Sequence, residues 1–296
     1  MEKAKFMAFE TKRRGAYTTV GRANMSVQLL LLDMTVKSTL LSNTETWCEI
    51  TKKEEDMITS YHHEILCIIF GQPRSTPYYG IIGETGIWPY KYVVVYKKLM
   101  FLHHLIHSSD DRIAKMVVLR QQQMMIEEKK NNTWFAELYH RVAPMKIDIK
   151  IEVVEKKKKS SWKKELKKKL GEEIEREIQE LAKQKTKLRF LKEKPFERED
   201  YVETCHAEMV GKIMSIRLNM VDCRANYKNN SADVKCVVCD EIETTEHLLE
   251  CQYYETILGT INMAKGDRKM NSTEWLIKAA RRMDFIQEIR KQHISV

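Results

Sequence analysis

The chain has 296 residues, of which 43% are hydrophobic, and a formal net charge of +9. This much hydrophobic content can fill a core, so the composition excludes a wholly disordered chain. The longest apolar runs fall far short of the roughly 20 residues that a membrane span needs, and the N-terminal residues lack the apolar segment of a signal peptide. We therefore expect an intracellular protein, nuclear or cytoplasmic, with no membrane partner.

Turn-forming residues are scarce, with 10 glycines and 5 prolines in the whole chain. Because glycine and proline interrupt regular structure, their scarcity predicts long elements. Lys, Glu, Met, Leu and Gln are abundant, and these residues favour helices. The predicted fold class is therefore mainly α.

The N-terminal part begins with a basic segment, residues 1–22, in which glycines interrupt any helix. Apolar residues at helical spacing then predict a helix over 25–41, and a second helix follows from about residue 52 to residue 70. Thr51 and Glu54 form an approximate capping box at its start, and Gly71 ends it.

A turn-rich stretch, residues 72–90, is predicted to be an ordered loop with at most one short helix. The apolar run after it contains Val93, Val94 and Val95, which also suit a strand, but its length favours a buried helix. Two shorter helices follow, and Ser108 to Asp111 are expected to cap the first of them. The stretch KIDIKIEVV, residues 146–154, alternates between polar and apolar over eight residues, which indicates either a strand or an extended connector.

The basicity of the chain belongs to one segment. Residues 156–198 contain 17 Lys/Arg against 8 Asp/Glu, so the rest of the chain balances to zero. From Ser160 to about Leu191 the pattern predicts a long amphipathic helix, and its apolar stripe runs from Trp162 to Leu181. Helices are also predicted from Tyr201 to Val221 and from Thr273 to about His293.

The stretch CVVCDEIETTEHLLEC, residues 236–251, is called the knuckle below. Cys236 and Cys239 form a C-x2-C pair, and His247 and Cys251 are four residues apart, on one face of a helical turn. Three sulfurs and one imidazole make a closed tetrahedral set, which predicts one structural Zn2+. A chance cluster and a redox pair are the alternatives, but the chain shows no thioredoxin-like pattern around the pair. Such knuckles either contact nucleic acid or only stabilise a small subdomain, and the spacing leaves both open.

The lysine-rich start of the long helix is the candidate nucleic-acid surface. Such a cluster can follow a phosphate backbone, whereas the alternative is a solvated face neutralised by glutamates further along the helix. The predicted nucleic-acid-binding residues are Lys156, Lys157, Lys158, Lys159, Trp162, Lys163, Lys164, Lys167, Lys168 and Lys169.

Two further groups of metal-ligand residue types are assigned to the core. The histidines at 62, 63, 103, 104 and 107 lie among apolar residues with no carboxylate or cysteine at a ligand spacing, so packed or hydrogen-bonded rings are favoured. Cys48, Cys67, Cys205 and Cys223 are expected to be buried free thiols. No nucleotide-binding loop or catalytic motif is found, so no catalytic residue is predicted.

The letters between the knuckle ligands carry a resemblance to a family. EIETTEHLLEC resembles the cysteine–histidine knuckle near the C-terminus of reverse transcriptases from non-LTR (LINE-type) retrotransposons. The helix that follows the polymerase palm in this family is similar to the stretch LLLLDMTVKSTLLSNTETW. A block of the family's thumb is similar to the stretch ILCIIFGQPRSTPYYGIIGETGIWPYKYVVVYKKLMFLHHLI. MVGKIMSIRLNMVDC occupies the place of the helix before the knuckle.

The resemblance implies a helical bundle-like thumb domain over 23–150, a basic helical connector over 151–198, and a C-terminal helical domain with the knuckle over 199–296. Polymerases of this family bind two catalytic Mg2+ ions with aspartates of an F/YxDD hairpin. Asp110 and Asp111 form the chain's one Asp-Asp pair, and they do not match that motif. The resemblance thus implies a non-catalytic fragment that binds RNA or DNA, with the polymerase domain upstream of Met1 as a further partner. The alternative is a helical protein-interaction module in which the apolar stripe forms a coiled coil with another chain.

Overall fold

A computed structural model of the chain describes residues 25–48, 50–192, 194–226, 234–258 and 272–294. The fold is mainly α-helical, as predicted, and these residues form no strand, although Lys235 and Ile242 form an isolated bridge. None of their helices is at once long and apolar enough to cross a bilayer. The basic N-terminal segment predicted over 1–22 lies outside the described residues.

The helices follow the chain in the predicted order. The N-terminal part contains α1 (Met25–Leu31), a π-helical turn (Leu32–Lys37), α2 (Ser38–Leu40), α3 (Lys52–Phe70), α4 (Tyr78–Thr85), α5 (Tyr90–Ile106), α6 (Ile113–Glu127) and α7 (Trp134–Val142). The C-terminal part contains α8 (Ile151–Val154), α9 (Lys159–Gln184), α10 (Asp200–Thr204), α11 (Ala207–Arg217), α12 (Thr245–Glu250), α13 (Gln252–Leu258) and α14 (Thr273–Ile294).

Several local predictions are confirmed in detail. The Thr51 side chain accepts from the Glu54 backbone N–H while the Glu54 carboxylate accepts from the Thr51 N–H, which completes the capping box of α3. Gly71 ends that helix in the left-handed conformation, at φ 63°. Residues 93–95 lie inside the buried helix α5 and not in a strand.

Two predictions about individual elements are wrong, and one alternative left open by the sequence is decided. Ser108 to Asp111 do not cap α6, whose N-cap is Arg112 without a side-chain hydrogen bond. The helix predicted from Tyr201 to Val221 is interrupted between α10 and α11, where the His206 side chain caps a new helix by accepting from Met209 N. Residues 147–150 form neither strand nor helix before α8 begins, so the connector alternative holds.

The apolar stripe of α9 is buried inside its own chain. Trp162, Leu166, Leu170 and Ile174 are fully buried, and helices α4 and α5 lie against α9. Because this face already packs on its own chain, it is not free to form the coiled coil of the interaction-module alternative. One hydrophobic cluster runs from Met25 to Ile286, so segments on both sides of the predicted boundaries at 150 and 198 share a core.

Candidate metal centre and lysine surface

The first half of the knuckle is a tight backbone turn. Cys236 N donates to Glu241 O at 2.6 Å, and Glu243 N donates to Val234 O at 2.8 Å, so the two arms are held side by side. Asp240 closes the turn at φ 61°, in the left-handed region that aspartate tolerates better than most residues. This geometry brings Cys236 and Cys239 to one side of the turn.

The second half is the short helix α12. The Thr244 side chain caps it by accepting from His247 N at 3.0 Å. His247 lies in the first turn of α12, and Cys251 follows directly after its last residue. Leu248 and Leu249 are buried, so the opposite face of α12 anchors the helix to the core.

The four predicted ligands converge. One side-chain donor atom from each of Cys236, Cys239, His247 and Cys251 lies within 4.8 Å of every other, and this is the one such group found among the described residues. The Cys239 sulfur is 3.2 Å from His247 Nε2 and 3.7 Å from the Cys251 sulfur. Cys236 and Cys251 are buried while Cys239 is exposed. The cluster can therefore hold a metal ion at the surface of the core.

Burial shapes the chemistry of the two thiols in the turn. Desolvation raises the pKa of Cys236, while the backbone N–H groups of Val238 and Cys239 oppose this by stabilising its thiolate. Desolvation also raises the pKa of Cys239, and a backbone hydrogen bond at Glu241 opposes it. Backbone N–H groups directed at sulfur suit thiolate ligands, because they compensate the negative charge that metal binding retains.

A carboxylate that the sequence reasoning missed orients the histidine. Glu241 Oε2 lies 3.1 Å from His247 Nδ1, on the ring edge opposite the Nε2 atom that meets the sulfurs. Such a contact fixes the tautomer that leaves Nε2 free to bind a metal. The signal was present as an acidic residue between the ligand pairs, but only the folded turn shows which carboxylate reaches the ring.

Glu243 joins the knuckle to the rest of the C-terminal part. Its carboxylate accepts from Arg290 of α14 at 2.6 Å and from the Arg224 backbone N–H at 2.9 Å. Glu243 is fully buried, so this ion pair is shielded from water. The knuckle and α14 are therefore linked through a contact that depends on the conformation of the turn.

Four of the five histidines assigned to the core, His62, His63, His103 and His107, are hydrogen-bonded as predicted, whereas His104 is exposed and its placement in the core is wrong. His103 Nε2 lies 2.8 Å from Lys157 O, and its ring stacks on His107. His62 is fully buried, with Nδ1 2.8 Å from the Tyr78 hydroxyl. Among the other cysteines, Cys67, Cys205 and Cys223 are buried as expected, whereas Cys48 is exposed and that prediction is wrong.

The lysine surface divides into paired and exposed members. Lys157 and Lys169 are half-buried and both contact Glu165, and Lys168 lies 3.9 Å from Glu172. The others are exposed, and none of them forms an ion pair with a described residue. These six are Lys156, Lys158, Lys159, Lys163, Lys164 and Lys167.

Trp162 does not belong to this surface. Its side chain is fully buried, and its indole N–H donates to Leu99 O at 3.2 Å. A buried ring cannot stack on a nucleotide base, so the prediction of Trp162 as a nucleic-acid contact is wrong. Its role is to fix the start of α9 against α5.

The Asp110–Asp111 pair lies in a turn between α5 and α6. Asp110 forms an ion pair with Lys115 at 2.6 Å, and neither aspartate lies on a strand.

Comparison with known proteins adds no relative: no family model matches the chain, and neither a curated protein nor a solved structure is significantly similar to it.

Proposed function

We propose that this chain binds single-stranded RNA or DNA through the exposed lysines of residues 156–167. The observation that carries the proposal is the set of six exposed lysines at the start of α9 that form no ion pair with a described residue. Glu165 pairs with the half-buried Lys157 and Lys169, so the surplus positive charge belongs to the exposed lysines. A helix packed on the core along its apolar stripe holds these charges at fixed spacings, which suits a phosphate backbone.

The test is the dependence of oligonucleotide affinity on salt. Each phosphate contact with a single strand contributes about −0.7 to the slope of log K against log salt, so six contacts give a slope of about −4. Replacing Lys163→Gln and Lys167→Gln together should make the slope shallower by about 1.4. The matched control is Lys52→Gln with Lys53→Gln, two exposed lysines at the start of α3. A slope near zero for the unsubstituted chain contradicts the proposal.

The ion of the Cys3His cluster is proposed to be a single structural Zn2+. With Zn–S bonds of about 2.3 Å, tetrahedral sulfurs lie roughly 3.8 Å apart. The 3.7 Å between the Cys239 and Cys251 sulfurs supports this ion. The three thiolates and one imidazole leave no coordination position for water, so a stabilising role is favoured over catalysis.

Zinc content per chain tests the ligand set. We expect one zinc per chain, reduced by Cys236→Ser and by His247→Ala. Cys48→Ser is the control, because Cys48 is a thiol outside the cluster. Unchanged zinc in both ligand variants refutes the assignment.

The origin of the chain as the C-terminal part of a non-LTR retrotransposon reverse transcriptase is also a proposal, supported by the order of its motifs. This origin implies that the chain acts in the nucleus or cytoplasm together with the polymerase domain of the same element. It also implies that the chain does not polymerise DNA alone. The mismatch of Asp110 and Asp111 with the F/YxDD motif supports the expectation that the chain does not polymerise alone. Metal-dependent nucleotide incorporation by this chain alone would contradict it.

A further inference from the structure

A groove of about 750 Å³ lies between one face of α5 and the turn that precedes α9. Tyr96, Met100, Phe101 and His104 line it from α5, and residues 155–159 line it from the turn. The volume falls in the range of small-molecule sites. The groove combines an apolar wall and a cationic rim, and the lysine surface described above does not account for the apolar wall.

Two hydrogen bonds hold the turn and the start of α9 against α5, and Lys157 joins the turn to α9. His103 Nε2 lies 2.8 Å from Lys157 O, and the Trp162 indole donates to Leu99 O at 3.2 Å. The Lys157 ammonium lies 4.7 Å from the centre of the Trp162 ring and 2.6 Å from a Glu165 oxygen. The turn is therefore a built part of the fold, and Lys156, Lys158 and Lys159 remain exposed at its rim.

The charges around the groove favour an anion. Its two acidic residues are Glu45, which pairs with Lys97 at 2.9 Å, and Glu155, which is exposed. The positive charges at the groove come from Lys156, Lys158 and Lys159. The first turn of α9 beside them contains no acidic residue. Backbone N–H groups at the start of a helix add to the attraction of the lysines for a phosphate.

The opposite wall offers aromatic surface. Tyr96, Met100 and Phe101 are half-buried, so each keeps one side open while its other side packs on the core. Tyr96 is braced edge-on against Trp88, with ring centres 5.9 Å apart, and Phe101 is braced against Trp134 at 6.1 Å. Braced aromatic rings beside a cationic rim are the arrangement on which unpaired bases stack.

We propose that this groove binds one unstacked nucleotide of a single-stranded nucleic acid, with its phosphate on Lys156, Lys158 and Lys159 and its base against Tyr96. The inference rests on the proposed function and goes beyond it, because it adds a base-contacting site to a surface of phosphate contacts. Free phosphate has no base to pack against the apolar wall, so the expected ligand carries both a base and a phosphate.

The experiment compares an oligothymidylate with an abasic oligonucleotide of the same length, by fluorescence anisotropy at one salt concentration. Stacking of one base should make the base-bearing strand bind about tenfold more tightly. Tyr96→Leu should remove this preference, and Tyr96→Phe, which keeps the ring, should retain it. Lys163→Gln with Lys167→Gln, outside the groove, should weaken both strands equally.

A second readout needs no substitution in the groove. A 2-aminopurine base in the strand should lose fluorescence on binding to the unsubstituted chain, because stacking quenches it. Three results would each overturn the groove assignment and leave the proposed function standing. They are equal affinity for both strands, unchanged 2-aminopurine emission, and a base preference that persists in folded Tyr96→Leu. No binding of either strand overturns the proposed function as well. Polyglutamate that competes as well as the oligonucleotide overturns the nucleotide in favour of an acidic peptide.

Discussion

Glu241 Oε2 lies 3.1 Å from Nδ1 of His247, while Nε2 of the same ring lies 3.2 Å from the Cys239 sulfur. The carboxylate and the sulfur thus occupy opposite edges of one imidazole. This relationship gives Glu241 a definable role outside the ligand set, because it selects the tautomer that can bind a metal.

We predict that Glu241→Gln weakens zinc binding by about tenfold or more, the usual effect of removing the partner of a metal-bound histidine. The measurement is a competition titration against a chromophoric chelator, and the stoichiometry should stay at one zinc per chain. Glu250→Gln is the control, since it removes the same charge from an exposed position on α12. An equal loss of affinity in both variants would show that only net charge matters.

Removing the metal should loosen α14 as well as the knuckle. The turn that carries Cys236 and Cys239 also carries Glu243, whose carboxylate is the buried partner of Arg290. Without an ion the cysteine turn loses its main constraint, and the Glu243–Arg290 contact loses its fixed geometry. We expect a strong chelator to increase amide hydrogen exchange in residues 273–290, with α5 as an internal reference that stays protected. Unchanged exchange in α14 would contradict the coupling.

The long helices and the ligand set were predictable because each depends on local periodicity. A C-x2-C pair and an i, i+4 pair define the cluster without knowledge of the rest of the fold. Trp162 could also have been placed correctly, since it shares the helical phase of Leu166 and Leu170, but its lysine neighbours suggested exposure. A residue's phase on a helix was a better guide to burial than the composition around it.

The remaining features needed tertiary structure. Glu241 reaches His247 only because Asp240 adopts a left-handed conformation that folds the turn back. The groove joins Tyr96 to Lys158, which are far apart in the sequence, and the contact between His103 and Lys157 that closes it follows no local pattern. The break between α10 and α11 arises where the His206 side chain caps the second helix, and histidine is an uncommon cap.

Trp162→Phe should affect stability and leave nucleic-acid affinity unchanged. The substitution removes the hydrogen bond from the indole to Leu99 O, which contributes about 1 kcal/mol, and leaves a small cavity in a fully buried site. Urea unfolding should report the lower free energy of unfolding, and oligonucleotide titration of the folded variant should match the unsubstituted chain. A loss of affinity without a loss of stability would restore Trp162 to the binding surface.

Burial of His62 makes stability depend on pH. Desolvation holds its pKa well below the usual value of about 6.5, and its ring stacks on Tyr90 with centres 3.5 Å apart. Below about pH 6.5 the unfolded chain binds a proton at this position that the folded chain does not. The free energy of unfolding should therefore fall as the pH drops from 7 to 5.5, by at most about 1.4 kcal/mol per pH unit from this residue.

The variant that tests this is His62→Phe, which keeps a ring against Tyr90 and cannot titrate. Its stability at pH 7 should be lower, because the Tyr78 hydroxyl loses its partner. The readout is the slope of unfolding free energy against pH, which should be shallower than in the unsubstituted chain. His63 and His103, whose pKa values are also lowered by desolvation, account for a residual slope. Identical slopes in the two proteins would contradict the assignment to His62.

Arg217 and Glu84 form an ion pair in which both side chains are fully buried. Arg217 Nε donates to Glu84 Oε2 at 2.7 Å, the Tyr201 hydroxyl donates to the same oxygen at 2.9 Å, and the pair joins α4 to α11. Arg217→Met leaves the Glu84 charge buried without its partner, which should cost about 3–5 kcal/mol of unfolding free energy. Urea unfolding measures this cost. The control is Lys278→Met, which breaks the exposed Lys278–Glu274 ion pair and should lower the free energy of unfolding by less than about 0.5 kcal/mol.

Combining Arg217→Met with Glu84→Gln should recover part of that loss. The double variant removes the buried Glu84 charge as well as its partner, so the penalty for that uncompensated carboxylate disappears. Glu199, which also contacts Arg217 at 2.7 Å, keeps its ion pair with Lys194. Additive losses in the two single variants would show instead that each side chain stabilises the fold independently, through packing. A double variant more stable than Arg217→Met identifies the stranded charge as the main cost, and with it the pair as the electrostatic link between α4 and α11.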